Sequence, residues 1–474
     1  MILVGCEEFS NDLLELVRAF GEGDTDGNIV IGYGIENGVI TAQATLLGTE
    51  HTARENLSPD GDALERKRRV KSMLKRLLYE LLKDVTGRRL PYGSLTGVRP
   101  TKLAYELTER YKKEAAAVFA EKKILNDPKS TAESASFSDE KKGIEARVFH
   151  TLTDYYSATP AKANLVLEIL KNQEGLYKSA PDLYDVYIHI PFCPTRCAYC
   201  SFVSTDMTKT KKMIEPYAER LLQEIDLIYT LSGGECNALY IGGGTPTALD
   251  EKTLMRILEK AAKFKKNEFT VEAGRPDTID ENKLRLIKEY GVNRISINPQ
   301  SVHEKTLNAI GRKHTAMQFY TAFESAKKYG FSINADVIAM LPDESLSDFL
   351  TTVKICADLA PDNITVHNLA LKRGSCLTLS DYRSSGASDA NRMTDGAYAL
   401  LKAYGYAPYY MSRQKYMSGN LENCGYTKPN AACLYNVDIM EETHSILAAG
   451  AGAISKRVAG DRIDRQANIN DVKM

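Results

Sequence analysis

The sequence predicts an α/β protein built on a partial (β/α)6 barrel, with an N-terminal α+β domain before it and a C-terminal, mostly helical region after it. Three observations predict this. Between about residues 181 and 372, short apolar runs alternate with amphipathic stretches of ordinary helix length, the rhythm of βαβ units on a parallel sheet. Earlier, strand-like runs give way to long charged helices; after residue 373 the rhythm breaks into polar, Tyr-rich and Asn-rich segments. At 474 residues the chain is also too long for one ordinary core, so a division at 1–180, 181–372 and 373–474 is expected.

The N-terminal domain has strand candidates at GNIVIGYG and VITAQATLL and a helix from about Asp62 to Val85. Helix-favouring charged residues then fill Pro100 to Lys142, and a further helix runs from about Gly143 to Lys178. Packing or docking is the expected role. In the barrel the strands are DVYIHI (185–190), NALYIG (237–242), FTVEA (269–273), NRISIN (293–298), INADVIAM (333–340) and NITVHNL (363–369). Helices are expected near Lys211–Leu231, Asp250–Lys266, Asp280–Tyr290, Ala316–Tyr329 and Ser345–Leu359. Six repeats fit an open or partial barrel, with chemistry at the carboxyl ends of the strands. Beyond them lie a helix near Thr394–Tyr404 and a segment expected to close over the barrel, and ISKRVAGDRIDRQANINDVKM alternates like a hairpin.

Composition narrows the function. Hydrophobic residues at 43% and charged residues at 26% describe a soluble globular chain. The 61 basic residues nearly cancel the 62 acidic ones, so no global field draws nucleic acid or anionic lipid. MILVGCEEFSND carries two acids before any run long enough for a signal peptide, and no stretch approaches membrane-spanning length. A cytoplasmic protein without a membrane span is expected. The nine cysteines are scattered except for three within eight residues, a pattern of metal binding or catalysis rather than of a secreted disulfide framework.

Those three are Cys193, Cys197 and Cys200 in HIPFCPTRCAYC, directly after the first barrel strand. Ferredoxin-like clusters take four cysteines, so three would leave one iron open to another ligand. The same spacing also serves zinc, with His189 as a fourth ligand, or three core cysteines. After the second strand, Gly242-Gly243-Gly244-Thr245-Pro246 is either a tight turn or a loop whose backbone N–H groups approach a ligand. Glu272, Gln300 and Asp336 stand at or near the ends of later strands, where converging polar groups read as a ligand site. Cys6, Cys236, Cys356, Cys376, Cys424 and Cys433 have no metal-like spacing; His314 and His367 either line the barrel mouth or, as expected, are hydrogen-bonded core residues.

CxxxCxxC with Tyr199 before the last cysteine, followed by GGGTP, resembles the radical S-adenosylmethionine (SAM) superfamily. HIPFCxxxCxYC resembles its oxygen-independent coproporphyrinogen III oxidase family. GSLTGVRPTKL, TVEAGRPDTI, RISINPQS, IGRKHT and RQKYMSGNLENCGYTKP, spread over most of the chain, are similar to the HemZ-like branch of that family.

The resemblance implies a 4Fe–4S cluster on Cys193, Cys197 and Cys200, with SAM at its open iron. It implies SAM contacts at Tyr187, Tyr199, Gly243, Gly244, Thr245, Glu272, Gln300, Arg312, Asp336 and Ala370, with Asp336 suited to the ribose hydroxyls. It further implies one-electron reduction by a flavodoxin or ferredoxin, cleavage of SAM to a 5′-deoxyadenosyl radical, and oxidative decarboxylation of coproporphyrinogen III propionates to vinyl groups. The chain departs from the characterised oxidases at Ser201-Phe202, where they carry a further cysteine, and here it is closer to a branch that includes a haem chaperone. A tetracarboxylate tetrapyrrole calls for cations, and Arg413, Lys415 and Lys428 are the candidates.

Overall fold

The computed structural model describes residues 2–21, 27–57, 62–96, 99–125, 137–176, 183–200, 204–370, 375, 387–414, 417–460 and 462–471. It forms two compact units, Met1–Lys171 with Arg413–Leu421, and Asn172–Ser412 with Glu422–Met474.

The first unit carries a four-stranded sheet of β1 (Ile2–Val4), β2 (Asn28–Glu36), β3 (Val39–Leu46) and β4 (Thr49–Asn56), in that order. Residues on β3 alternate between buried and exposed, because one face packs and the other does not. Besides α1 (Ser10–Ala19), the unit contains the long α2 (Ala63–Thr86), whose Val70, Met73, Leu74, Leu77, Leu78, Leu81 and Leu82 are buried at helical spacing. The Asp62 carboxylate caps α2 by accepting from the Glu65 N–H at 2.7 Å, and Gly87 ends it in the left-handed conformation. α3 (Pro100–Leu125), α4 (Phe137–His150) and α5 (Pro160–Asn172) follow.

The second unit is built on one sheet of eleven strands. Its parallel centre is β5 (Tyr184–Ile190), β8 (Ala238–Gly243), β9 (Glu268–Val271), β10 (Arg294–Ser296), β11 (Ser332–Ala339) and β12 (Asn363–Asn368), neighbours in that order. These are the six expected strands, each within a few residues of its expected bounds. β9 and β10 are buried along their whole length, as a sheet covered on both faces requires. The short β6 (Phe192–Cys193) and β7 (Thr205–Asp206) pair apart from this sheet, and short α6 (Met207–Thr210) follows them.

The connecting helices are α7 (Ile214–Leu231), α8 (Glu251–Ala262), α9 (Glu281–Glu289), α10 (Glu304–Ala309), α11 (Ala316–Lys328) and α12 (Leu346–Leu359). Asp250, Asp280, Thr315 and Ser345 each cap the helix that follows by accepting a backbone N–H. The Thr315 and Ser345 caps are reciprocated by Gln318 and Asp348.

The last hundred residues differ from the mostly helical expectation. They contain α13 (Ala387–Ala403) and α14 (Leu434–Glu441), but also β13 (Ala407–Ser412), β14 (Asn423–Thr427), β15 (Ser445–Ala449), β16 (Ile454–Ala459) and β17 (Arg462–Ala467). β14 pairs antiparallel with β12 and then with β13, while β15 pairs parallel with β5 and then leads into the β16–β17 hairpin. A run of parallel strands leaves unpaired N–H and C=O groups along both edges, and this segment pairs with each. The expected final hairpin is β16–β17. Among the described residues no helix is long and apolar enough to cross a membrane.

Candidate active site at the carboxyl ends of the parallel strands

The cysteine loop leaves the carboxyl end of β5 and lies directly on the glycine turn that ends β8. Gly244 donates its N–H to the Ile190 carbonyl at 2.7 Å, and Thr245 donates to the Phe192 carbonyl at 2.8 Å. A Cβ on Gly244 would stand 2.6 Å from the Phe192 oxygen and 3.0 Å from Cys193 Sγ, so only glycine lets the chains approach this closely. Gly243, at φ +106°, faces the His189 ring, where a Cβ would meet Nδ1 at 2.5 Å. Its N–H is 3.3 Å from the Glu272 carboxylate. The N–H groups of Gly243, Gly244 and Thr245 are thus engaged within the protein, and of the two readings of the glycine run the tight turn that seats the cysteine loop is the one these bonds describe.

A second set of contacts clamps the loop from the far side. Ala198 donates to the Ile310 carbonyl at 2.9 Å, and Arg275, itself paired with Asp277, donates to Thr195 Oγ1 at 2.9 Å. These contacts give GRPDT and IGRKHT a physical role. Cys197 is buried, while Cys193 and Cys200 are half-buried. Thr245 Oγ1 lies 3.5 Å from Cys193 Sγ. Burial pushes the Cys193 thiol up to about 11, partly offset by Thr245 and reinforced by the neighbouring cysteines. A bound cation would favour the thiolate form that burial opposes. His189, weighed as a fourth metal ligand, has Nδ1 3.0 Å from the Tyr187 hydroxyl.

The polar residues picked from the strand ends come together on the same side. Glu272 follows β9 by one residue. Burial and the nearby Asp336 charge raise its carboxyl to about 7, against the pull of the Gly243 N–H, His367 and Tyr240. Asp336 on β11 goes the other way. Burial opposes its charge, but His367, Asn334 and Thr365 hold the carboxyl below its ordinary value. The His367 Nε2 is 3.6 Å away and Asn334 donates to Asp336 Oδ1 at 2.7 Å. One buried carboxyl is pushed toward neutrality and the other held ionised.

Gln300 sits in the left-handed region at φ 64°, pinned by its N–H to the Asp336 carbonyl at 3.0 Å, and its Oε1 is buried without a partner. A strained, orphaned polar group at such a place is the mark of a ligand site. Arg312 is buried and spans the site, donating to the Gly274 and Asn298 carbonyls at 2.9 and 2.8 Å and to the Tyr199 hydroxyl at 3.1 Å. Ala370 is the second residue beyond β12 and is half-buried.

Several participants were missed. Tyr187 stacks with Tyr240 and Tyr435, and the latter two rings lie 4.7 Å apart at 23°. Tyr435 comes from the C-terminal segment and carries no local signal. His367 was read as a core residue, yet it is a third exposed and faces Asp336. His314 is buried beside Arg312, as read, and burial and that charge lower it to about 3.

The substrate candidates fare differently. Lys428 is corrected: β14 runs antiparallel to β12, so Thr427 lies beside Asn363, at the amino end of the parallel strands. There Lys428 donates to the Ala360 carbonyl at 2.6 Å. Arg413 belongs to the first unit, where its guanidinium donates to the carbonyls of Leu95 and Asn420 and lies 4.3 Å from the Tyr92 ring centre. Lys415 and Ser201-Phe202 lie outside the described residues.

Comparison with known proteins agrees with this geometry. Residues 187–356 match the family model described as the Radical SAM superfamily. The oxygen-independent coproporphyrinogen-III oxidase-like protein HemZ of Bacillus subtilis (strain 168) is 33% identical over 97% of this chain and 89% of its own length. The heme chaperone HemW of the same organism is 33% identical over 39% of this chain and 50% of its own. Coproporphyrinogen III oxidase (HemN) from Escherichia coli superposes with a TM-score of 0.52 at 22% identity, over 64% of this chain and 70% of its own, which reports the fold. The chain belongs to the radical SAM family of oxygen-independent coproporphyrinogen III oxidase-like proteins, whose cofactors are a 4Fe–4S cluster and SAM.

Proposed function

We propose that this chain is a radical SAM oxidoreductase of tetrapyrrole biosynthesis, an oxygen-independent dehydrogenase acting on the propionates of coproporphyrinogen III or a related tetrapyrrole. The observation that carries the reading is a buried, unpartnered Gln300 Oε1 together with two carboxyls of opposite tendency, Glu272 and Asp336, among the strand ends that hold the cysteine loop.

The residues present fit the cofactor pair. Three thiols stand on a loop shaped by glycine, and the adjoining cradle offers acceptors for a ligand that carries both an ammonium and hydroxyls. Cys193, Cys197 and Cys200 hold the cluster in this reading. Glu272 accepts the ammonium of SAM, Asp336 the ribose hydroxyls and Gln300 Oε1 a further polar hydrogen. Tyr187, Gly243, Gly244, Thr245 and Ala370 supply close-fitting walls. Arg312 orients Tyr199 against the cofactor. When bound and reduced by a flavodoxin- or ferredoxin-like donor, the pair supplies a carbon-centred radical able to take a hydrogen atom from an unactivated carbon. The protein's share is to bind, orient and keep water out.

A second reading is a haem-delivering chaperone, favoured by Ser201-Phe202 and by the similarity to HemW. One experiment separates the two. Anaerobically reconstituted protein is given reductant and SAM, with and without coproporphyrinogen III, and 5′-deoxyadenosine and porphyrin masses are followed. Cleavage coupled to loss of carboxyl groups supports the dehydrogenase. Haem binding without substrate-dependent cleavage replaces it with the chaperone.

A further inference from the structure

At the other end of the parallel strands the sheet buries a set of polar groups that the cofactor site does not use. Asp185 on β5, Asp438 on α14 and His444 just before β15 are each at most 3% exposed. One ligand-capable atom from each lies within 4.8 Å of the others. His444 Nδ1 stands 3.1 Å from Asp438 Oδ1 and 3.9 Å from Asp185 Oδ2.

The surroundings orient the two carboxylates as metal ligands are oriented. The Ala238 N–H donates to Asp185 Oδ1 at 3.0 Å, which leaves Asp185 Oδ2 turned toward His444, fully buried and without a hydrogen-bond partner. Asp438 Oδ2 accepts from Asn237 Nδ2 at 2.8 Å, and its Oδ1 accepts from Thr443 Oγ1 at 2.5 Å. Outer donors of this kind orient metal-binding carboxylates.

Charge points the same way. Two carboxyls and one imidazole lie out of water, and the adjacent Lys456 is paired with Glu442 at 3.6 Å. Two buried carboxylates beside at most one cation are costly unless something else neutralises them. A tetrahedral ion with bonds of about 2.0–2.1 Å sets its ligands about 3.3–3.4 Å apart, between the two separations observed.

We propose that Asp185, Asp438 and His444 bind a divalent metal ion of the zinc class, which ties the C-terminal segment to the first strand of the parallel sheet. The ligands come from β5, α14 and the entry to β15, so the ion joins residues more than 250 apart in sequence (185 to 438 and 444). The role is structural, because Asp185 lies at the amino end of β5 whereas the cysteine loop leaves its carboxyl end.

The test separates this ion from any metal on the cysteines. The full-length chain carrying Cys193→Ala, Cys197→Ala and Cys200→Ala is purified and its metals measured by mass spectrometry. The expected result is about one zinc per chain, lost in the same background on adding Asp185→Asn or His444→Gln. Stripping the triple-cysteine chain with a chelator should lower its thermal midpoint by several degrees, and Zn²⁺ should restore it. A stripped chain that neither binds Zn²⁺ nor shifts its melting on addition overturns the proposal, whether or not the variants fold. So does an Asp185→Asn chain that keeps its zinc, or one that is more stable than its parent without any metal, since a proton shared by the two carboxyls would then explain the cluster.

Discussion

Replacing Gly244 by alanine should cost the protein its cluster without unfolding it. The added methyl would lie 2.6 and 2.8 Å from the carbonyl oxygens of Phe192 and Ile190 and 3.0 Å from Cys193 Sγ. Two of these neighbours are backbone and cannot swing aside. The loop must therefore move, giving up the Gly244-to-Ile190 and Thr245-to-Phe192 hydrogen bonds. Overpacking of this kind costs about 1–3 kcal/mol and each of the two lost bonds about 1 kcal/mol, so the seated loop loses about 3–5 kcal/mol. The assay is iron and acid-labile sulfide per chain after anaerobic reconstitution, with far-ultraviolet circular dichroism reporting the fold. Gly32→Ala is the control, since a Cβ there meets nothing within 4 Å. Gly244→Ala should hold much less iron than wild type while keeping its dichroism, and Gly32→Ala should match wild type. Wild-type iron content and melting in Gly244→Ala would show that the glycine turn does not seat the loop.

Three further outcomes follow from the geometry. The Glu272 carboxyl, raised by burial and by Asp336 to about 7, destabilises the cofactor-free fold progressively as pH rises from the ordinary glutamate range through 7. Binding an ammonium requires its ionised form, so SAM affinity measured anaerobically by calorimetry should weaken about tenfold per pH unit below 7. It should be flat over the same range in Glu272→Gln, and an unchanged slope in that variant would remove Glu272 from the contact. Arg294 is buried against Glu268 at 3.1 Å and also donates to Asn363 and the Ala431 carbonyl. Arg294→Met should lower the unfolding free energy by about 3–5 kcal/mol in urea titration, because it leaves Glu268 charged in the sheet; a loss below 1 kcal/mol would refute this. Lys428→Ala should leave SAM cleavage and tetrapyrrole binding unchanged, since the ammonium caps the C-terminal end of α12 through Ala360; a rise in KM for the tetrapyrrole would return it to the substrate site.

What the sequence determined by itself is what is local or periodic. The six parallel strands are short apolar runs, their helices begin at Asp250, Asp280, Thr315 and Ser345, and CxxxCxxC with Tyr199 and the GGGTP that follows carries the family resemblance. Those signals depend on neighbours a few residues away, so they can be read without the fold. Tertiary structure decided what depends on pairing between distant segments. NCGYT and SILAA are strands because the parallel sheet has two edges to cover, and the antiparallel direction of β14 carries Lys428 to the wrong end of the sheet for a substrate contact. Tyr435 joins the tyrosine stack, and Asp438 and His444 meet Asp185, only because α14 and β15 return to β5 across some 250 residues (185 to 438 and 444). The opposite tendencies of Glu272 and Asp336 come from burial and from His367, neither of which is written in the residues beside them.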